Sequence, residues 1–170
     1  MQVQTWKMRE IYLKGFGICV REAQPKAVMT SYNLLNGTHT AENRGLIMDI
    51  LRAEYGYQGI VMTDWVTPMT GDARSAHRDS QAQYVAAAGG DLFMPGNKGD
   101  YDNLLQGIDS GAVTLEQVKI NASRVVRTVR ALTQEENTKT SARLDVCLAE
   151  VFWISIYFSR YSIGVWPVTS

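Results

Sequence analysis

The chain has 170 residues, and its seventeen basic and seventeen acidic side chains cancel. That length fits one domain of ordinary size, and the charge balance leaves no basic footprint for nucleic acid or an anionic membrane. Cys19 and Cys147, the two cysteines, are too few for a disulfide framework and join no metal-like cluster, so no metal is expected; no cofactor is expected either. The opening MQVQTWKMRE has no apolar h-region, so no signal peptide is read there. No run approaches the ~18 apolar residues of a membrane helix. The compartment stays open.

In chain order, Phe16, Cys19, Val20 and Ala23 fall at the i, i+3, i+4, i+7 spacing of one helical face. Lys26-Ala-Val-Met-Thr-Ser-Tyr32 is a nearly continuous apolar run closing on polar residues, which suits a strand covered on both faces. A polar loop from Tyr32 to Arg44 follows. Leu46, Ile47, Ile50, Leu51 and Tyr55 then make an apolar stripe that stops at Gly56, a helix-ending glycine. Gly59 to Asp64 reads as a second strand, with a polar segment from Val66 to Arg74 after it. Ser75 to Ala88 reads as a helix closed by Gly89-Gly90. Asp91-Leu-Phe-Met94 is the third strand, followed by polar Pro95 to Asp100. Leu104, Leu105 and Ile108 begin a helix that breaks at Gly111. Thr114-Leu-Glu-Gln117 has capping-box spacing and opens a helix carrying Val118, Ala122, Val125, Val126, Val129 and Leu132.

Val28 and Val61 stand 33 residues apart and Val61 and Leu92 31, about one βα unit each. The order α-βα-βα-βα is part of a parallel α/β fold. From Glu135 to Ser141 the chain is polar and aperiodic, a linker. Phe152, Trp153, Tyr157, Phe158, Tyr161 and Trp166 then crowd residues 151–170. This aromatic-rich tail reads as a tryptophan-rich binding strand or, more in keeping with its composition, as foreign to the domain before it, as at a gene truncation or frame change, and it is assigned no function.

Each expected strand runs into a polar loop, so three polar loops open on one face, the face that holds catalytic groups in parallel barrels. Asp64 is the sharpest candidate there because the apolar strand pins its backbone. In a partly dry site it can serve as nucleophile or base; the plainer role is capping the next turn. Tyr32 can hydrogen-bond such a carboxylate from the neighbouring strand, or simply pack with a wet hydroxyl. Trp65 can stack on a sugar face or act as an interfacial wedge. His39 and His77 have no partner pattern for a metal or a triad and read as surface or loop filler. Asn36-Gly-Thr38 and Asn121-Ala-Ser123 satisfy the glycosylation sequon, but matches this short carry no argument for secretion.

Several motifs together resemble the glycoside hydrolase family 3 N-terminal domain. They are Met29-Thr-Ser-Tyr-Asn33, Asn36-Gly37, Glu42-Asn43, Asp49-Ile-Leu-Arg52, Tyr57-Gln-Gly59 and above all Val61-Met-Thr-Asp-Trp65. Arg9-Glu-Ile-Tyr-Leu13 and Ala88-Gly-Gly-Asp-Leu-Phe-Met-Pro-Gly96 extend the resemblance, which covers roughly residues 7–133. It implies a TIM-type (β/α)8 barrel of a retaining β-glycosidase, of which this chain holds the C-terminal part, about three βα units. Residues 1–134 are then a partial barrel domain, and 135–170 the linker and atypical tail. The resemblance implies Asp64 as the nucleophile and Tyr32 as the residue orienting it. Trp65 is implied at the entrance subsite, and Met29, like Trp65, in substrate binding. Trp65 stands where the β-hexosaminidase branch has a second acid, so the sequence looks like the β-glucosidase or β-xylosidase branch.

The mechanism so implied is double displacement at the anomeric carbon of a β-linked glucoside or xyloside oligosaccharide. The family's upstream Lys-His pair and its second α/β domain, the usual source of the acid/base glutamate, are not found in this sequence. Glu42, Asp72 and Asp79 lie in the active-face segments, but none matches a family acid/base position, and Glu42 reads as structural. The competing class is a half-barrel that binds carbohydrate or a partner chain without catalysis. No nucleic-acid or membrane partner is expected. Self-association is expected through the open edges of a partial sheet.

Overall fold

Residues 7–65 and 79–136 are described in a computed structural model of the chain. A π-type turn at Met8–Tyr12 leads into helix α1 (Lys14–Ala23), whose Val20 is almost fully buried. The helix stops at Gln24, which takes the left-handed conformation at φ 50°. Strand β1 (Ala27–Met29) follows.

The loop expected after β1 contains a small antiparallel hairpin, β2 (Leu34–Leu35) and β3 (Thr38–His39). Its turn is Asn36-Gly37 at φ 52° and 88°, the positive-φ pair that a two-residue hairpin turn requires. His39 is therefore no loop filler; it is buried in β3 opposite Leu34. A 3-10 turn at Thr40–Glu42 leads into α2 (Gly45–Glu54), a π-type helix whose entry is capped by Asn43 Oδ1 accepting from the Leu46 N–H at 3.0 Å.

Strand β4 (Ile60–Met62) lies parallel to β1 with Ala27, Val28 and Met29 in register with Ile60, Val61 and Met62. Gly59 permits this approach, because a Cβ there would meet the Lys26 carbonyl oxygen at 2.5 Å. The third strand expected at residues 91–94 shrinks to one parallel bridge between Met62 and Leu92. The physical reason lies in Thr63. Its N–H donates to Leu92 O at 3.0 Å, but its hydroxyl oxygen takes the Met94 N–H at 2.8 Å, so a side chain replaces the next rung of the ladder.

Helix α3 (Ala82–Ala88) is shorter than the sequence suggested. Gln81 is extended, at φ −124° and ψ 140°, and gives its N–H to Glu42 Oε1 at 2.7 Å. The rest of the expected start, residues 75–78, lies outside the described residues. Gly89 ends α3 in the left-handed region at φ 95°. Helix α4 (Lys98–Ser110) begins earlier than expected because Asn97 and Asp100 form a reciprocal capping box. Helix α5 (Leu115–Glu136) opens on the expected cap, with the Gln117 N–H donating to Thr114 Oγ1 at 3.1 Å. It runs past the expected boundary at residue 134. The remainder of the expected linker, the aromatic tail and Cys147 lie outside the described residues.

Val20, Ile47, Tyr57, Val61 and Ala88 form the buried core, with Val28, Met48, Leu51 and Tyr55 packed on it. Beside that core sits a fully buried carboxylate. Asp91 accepts from Arg52 Nη2 at 2.6 Å, from Arg124 Nη1 at 3.0 Å and from the Val61 N–H at 2.8 Å. Arg52 also donates to Gly59 O at 3.1 Å, so one guanidinium ties α2 to the entry of β4. Among the described residues no helix is long and apolar enough to cross a membrane.

Removing one partner from such a cluster leaves buried charge uncompensated, at a cost of about 3–5 kcal/mol. Asp91→Ala should therefore lower the urea midpoint drastically or prevent folding. Glu54→Ala, which breaks only the exposed pair with Arg9, should leave the midpoint nearly unmoved. Equal midpoints for the two variants would contradict this account.

Candidate active site

Two parallel strands deliver the candidate residues to one edge. Asp64 stands two positions beyond the end of β4 and Tyr32 three beyond the end of β1. Between Met62 and Asp64, buried Thr63 fastens the backbone to Leu92 and Met94. On the other strand, the Thr30 N–H continues the pairing to Met62 O at 2.8 Å. The two candidates thus leave anchored backbone within one or two residues.

The Tyr32 hydroxyl donates to Trp65 O at 2.5 Å, across 33 positions of sequence. Asp64 is half-buried, and its Oδ1 accepts the Trp65 N–H at 2.7 Å. The carboxylate therefore takes a local capping role, and the phenol fixes the Trp65 carbonyl one residue beyond it. Burial raises the Tyr32 pKa, and the charge of the neighbouring Asp64 carboxylate raises it further. Tyr32, Asp64 and Trp65 are brought together, while the Trp65 indole stays 48% exposed. Met29 occupies the last position of β1, in register with Met62 and three residues before Tyr32.

The other expectations separate by burial. Glu42 spends its carboxylate on the entry to α3 through Gln81, as the structural reading had it. Asp79 is exposed, whereas Asp72 and His77 lie outside the described residues. Asn121 of the second sequon is buried and donates its amide to Ala86 O at 2.9 Å, so the folded chain does not offer it for modification. Among the described residues no group of three or more His, Cys, Asp or Glu could hold a metal ion. Thr63 was missed by sequence reasoning; its only signal was a small polar residue in the last step of an apolar strand.

A half-buried carboxylate at a strand edge, oriented by a backbone N–H and flanked by a phenol, is suited to nucleophilic or general-base work. The phenol gives a pH signature. The folded pKa of Tyr32 is raised above an unfolded value near ~10, so the folded chain holds this proton more tightly. The stability it contributes is complete below ~10 and is lost as pH rises through the folded value. Tyr55 contributes in the same sense, through burial first and then the Glu54 charge. Tyr32→Phe should therefore flatten part, not all, of the alkaline decline in denaturation midpoint. A decline identical in the variant would exclude a raised Tyr32.

Residues 1–128 match the model described as the glycosyl hydrolase family 3 N terminal domain. The chain is 41% identical over 133 residues to beta-glucosidase B of Emericella nidulans, covering 76% of this chain and 14% of that protein. It is similar in structure to a beta-glucosidase from Paenibacillus barengoltzii at TM-score 0.65 and 36% identity, over 74% of this chain and 14% of that one. It is also similar to a family 3 beta-glucosidase of Bifidobacterium adolescentis at TM-score 0.64 and 32% identity, over 85% of this chain and 20% of that one. The chain thus spans about a seventh of the first relative's length.

Proposed function

The chain belongs to glycoside hydrolase family 3, and from that premise we propose that it carries the nucleophile of a retaining β-glucosidase-type site. Its scaffold is the C-terminal part of a (β/α)8 barrel. The carrying observation is the Tyr32 hydroxyl on the Trp65 carbonyl at 2.5 Å, which fixes the backbone one residue beyond Asp64. Asp64 attacks the anomeric carbon, Tyr32 orients it, and Trp65 and Met29 line the path of a β-linked glucoside or xyloside. An acid protonates the leaving oxygen, and water then releases the sugar from the glycosyl-enzyme ester. Retention places the two carboxyl groups ~5 Å apart, and Glu42, engaged with Gln81, is not assigned the second role. The acid/base group is assigned to another part of the full-length protein, since the chain spans only a fraction of its relatives.

The exposed Trp65 indole also favours a second reading, a half-barrel that binds sugar without turning it over. We further propose that the chain self-associates through the outer edge of β1, which pairs only with β4 among the described residues.

The test is hydrolysis by the purified chain. Cellobiose and xylobiose should show no useful turnover. An aryl β-glucoside, whose leaving group needs little acid assistance, should give at most trace release. Asp64→Ala should reduce that trace at least ~100-fold. Robust cellobiose hydrolysis, or release that survives Asp64→Ala, would show that the nucleophile is misassigned. Glucoside binding that survives Asp64→Ala but not Trp65→Ala, with no release from either chain, would select the second reading.

A further inference from the structure

We infer that Thr40 is a positioning residue for this site, clamping the residues on either side of Tyr32 so that the phenol meets the Trp65 carbonyl next to Asp64. The inference rests on the reading of Asp64 and Tyr32 given above, and it adds a residue that the sequence motifs did not single out.

Thr40 opens the turn after β3 and is only 5% exposed. Its hydroxyl donates to the Ser31 carbonyl at 2.6 Å, and its N–H donates to the Asn33 carbonyl at 3.3 Å. One residue therefore holds the backbone immediately before and immediately after Tyr32. The Ser31 hydroxyl closes the group by donating to Asn33 Oδ1. The Ser31 and Thr40 hydroxyl oxygens lie 3.3 Å apart. Each hydroxyl has a single proton and both are already spent, so this contact is packing and not a further bond.

Upstream, the Thr30 N–H is fixed to Met62 O. Downstream, Leu34 is paired with His39 in the hairpin. Tyr32 is the apex of a short arch whose two feet rest on neighbouring elements, with Thr40 tying them beneath it. The phenol then spans to the β4 side and reaches Trp65 O. Thr40 acts through Tyr32. An ångström of misplacement at a reacting group costs orders of magnitude, which is what such a clamp prevents.

The test follows the Tyr32 phenol in the full chain by NMR of ring-labelled tyrosine, with Tyr32 assigned by the signal lost in Tyr32→Phe. Tyr55, also raised by burial but bonded to the Leu13 carbonyl, is the internal control. In Thr40→Val the Tyr32 titration should fall back toward the ordinary tyrosine value while Tyr55 stays in place. Thr40→Ser, which keeps the hydroxyl, should restore the wild-type Tyr32 titration. An unmoved Tyr32 in folded Thr40→Val, or no restoration by serine, would overturn the inference. If valine prevents folding, Thr40→Ala replaces it. Loss of the Tyr55 signature in both would also overturn it, because Thr40 would then be needed for folding rather than for aim. Aryl glucoside release indifferent to Asp64→Ala would instead reject the nucleophile assignment while leaving the Tyr32 result standing.

Discussion

A single buried carboxylate holds this fold in register. Asp91 has no exposed side-chain surface and is met by two guanidinium groups and one backbone N–H. Those partners belong to α2, α5 and β4, so one side chain fixes three elements against the start of the third strand segment. Ion pairs of this kind contribute little net stability over an apolar filling, because desolvation offsets the attraction. What they add is discrimination. A one-residue slip of β4 would turn its side chains to the opposite face and withdraw the Val61 N–H from the carboxylate. Burial lowers the Arg52 pKa, Asp91 opposes that effect, and Arg124 adds to it. The guanidinium stays charged all the same, and it lies over the Tyr57 ring at 5.7 Å.

The same register carries through to the candidate site. Asp91 and Leu92 both donate their N–H to Val61 O, and Thr63 then bonds Leu92 and Met94. Within three residues of the amide that Asp91 holds, the chain reaches Asp64. Two acids on neighbouring segments therefore have opposite fates. Asp91, buried with counter-charges at the start of its segment, is spent on structure. Asp64, half-buried at the other end of β4, has a neutral phenol and a backbone N–H for company. Sequence composition does not separate these two acids, because both sit at the margin of an apolar run.

What was legible in the sequence was whatever local chain chemistry decides. The apolar runs at Val28 and Val61, the stop at Gly56, the break at Gly111 and the Thr114 cap all appear where their residue types place them. What was lost depended on distant partners. Asp91 finds Arg52 and Arg124 at separations of 39 and 33 residues, and nothing local announces that bond. The third strand was cut short by the Thr63 side chain on another strand. The start of α3 was moved by Glu42, again across 39 positions. The hairpin is a different failure. Asn36-Gly37 is a local hairpin signal, but the polar composition around it points to loop. At the site, the motifs point to Tyr32 bonding the Asp64 carboxylate, but its hydroxyl meets the Trp65 carbonyl instead, and Thr40, an ordinary residue in a turn, carries no motif of its own.

The arrangement around Asp64 is built from what two adjacent parallel strands provide, together with the hairpin and Thr63. It needs no third direction of approach. Glycoside hydrolysis does, because the sugar's hydroxyls and the leaving oxygen point away from the nucleophile and must be met from elsewhere around the ring. On the proposed reading, that division explains how so small a share of the relatives' length can hold a well-defined nucleophile site. Orienting a carboxylate is a local problem, solved by a ladder, a phenol and a few side-chain bonds. Enclosing a sugar is a global one, solved by closing the sheet around it. The Trp65 indole marks the border between the two, with its peptide held by Tyr32 and its ring left open to solvent.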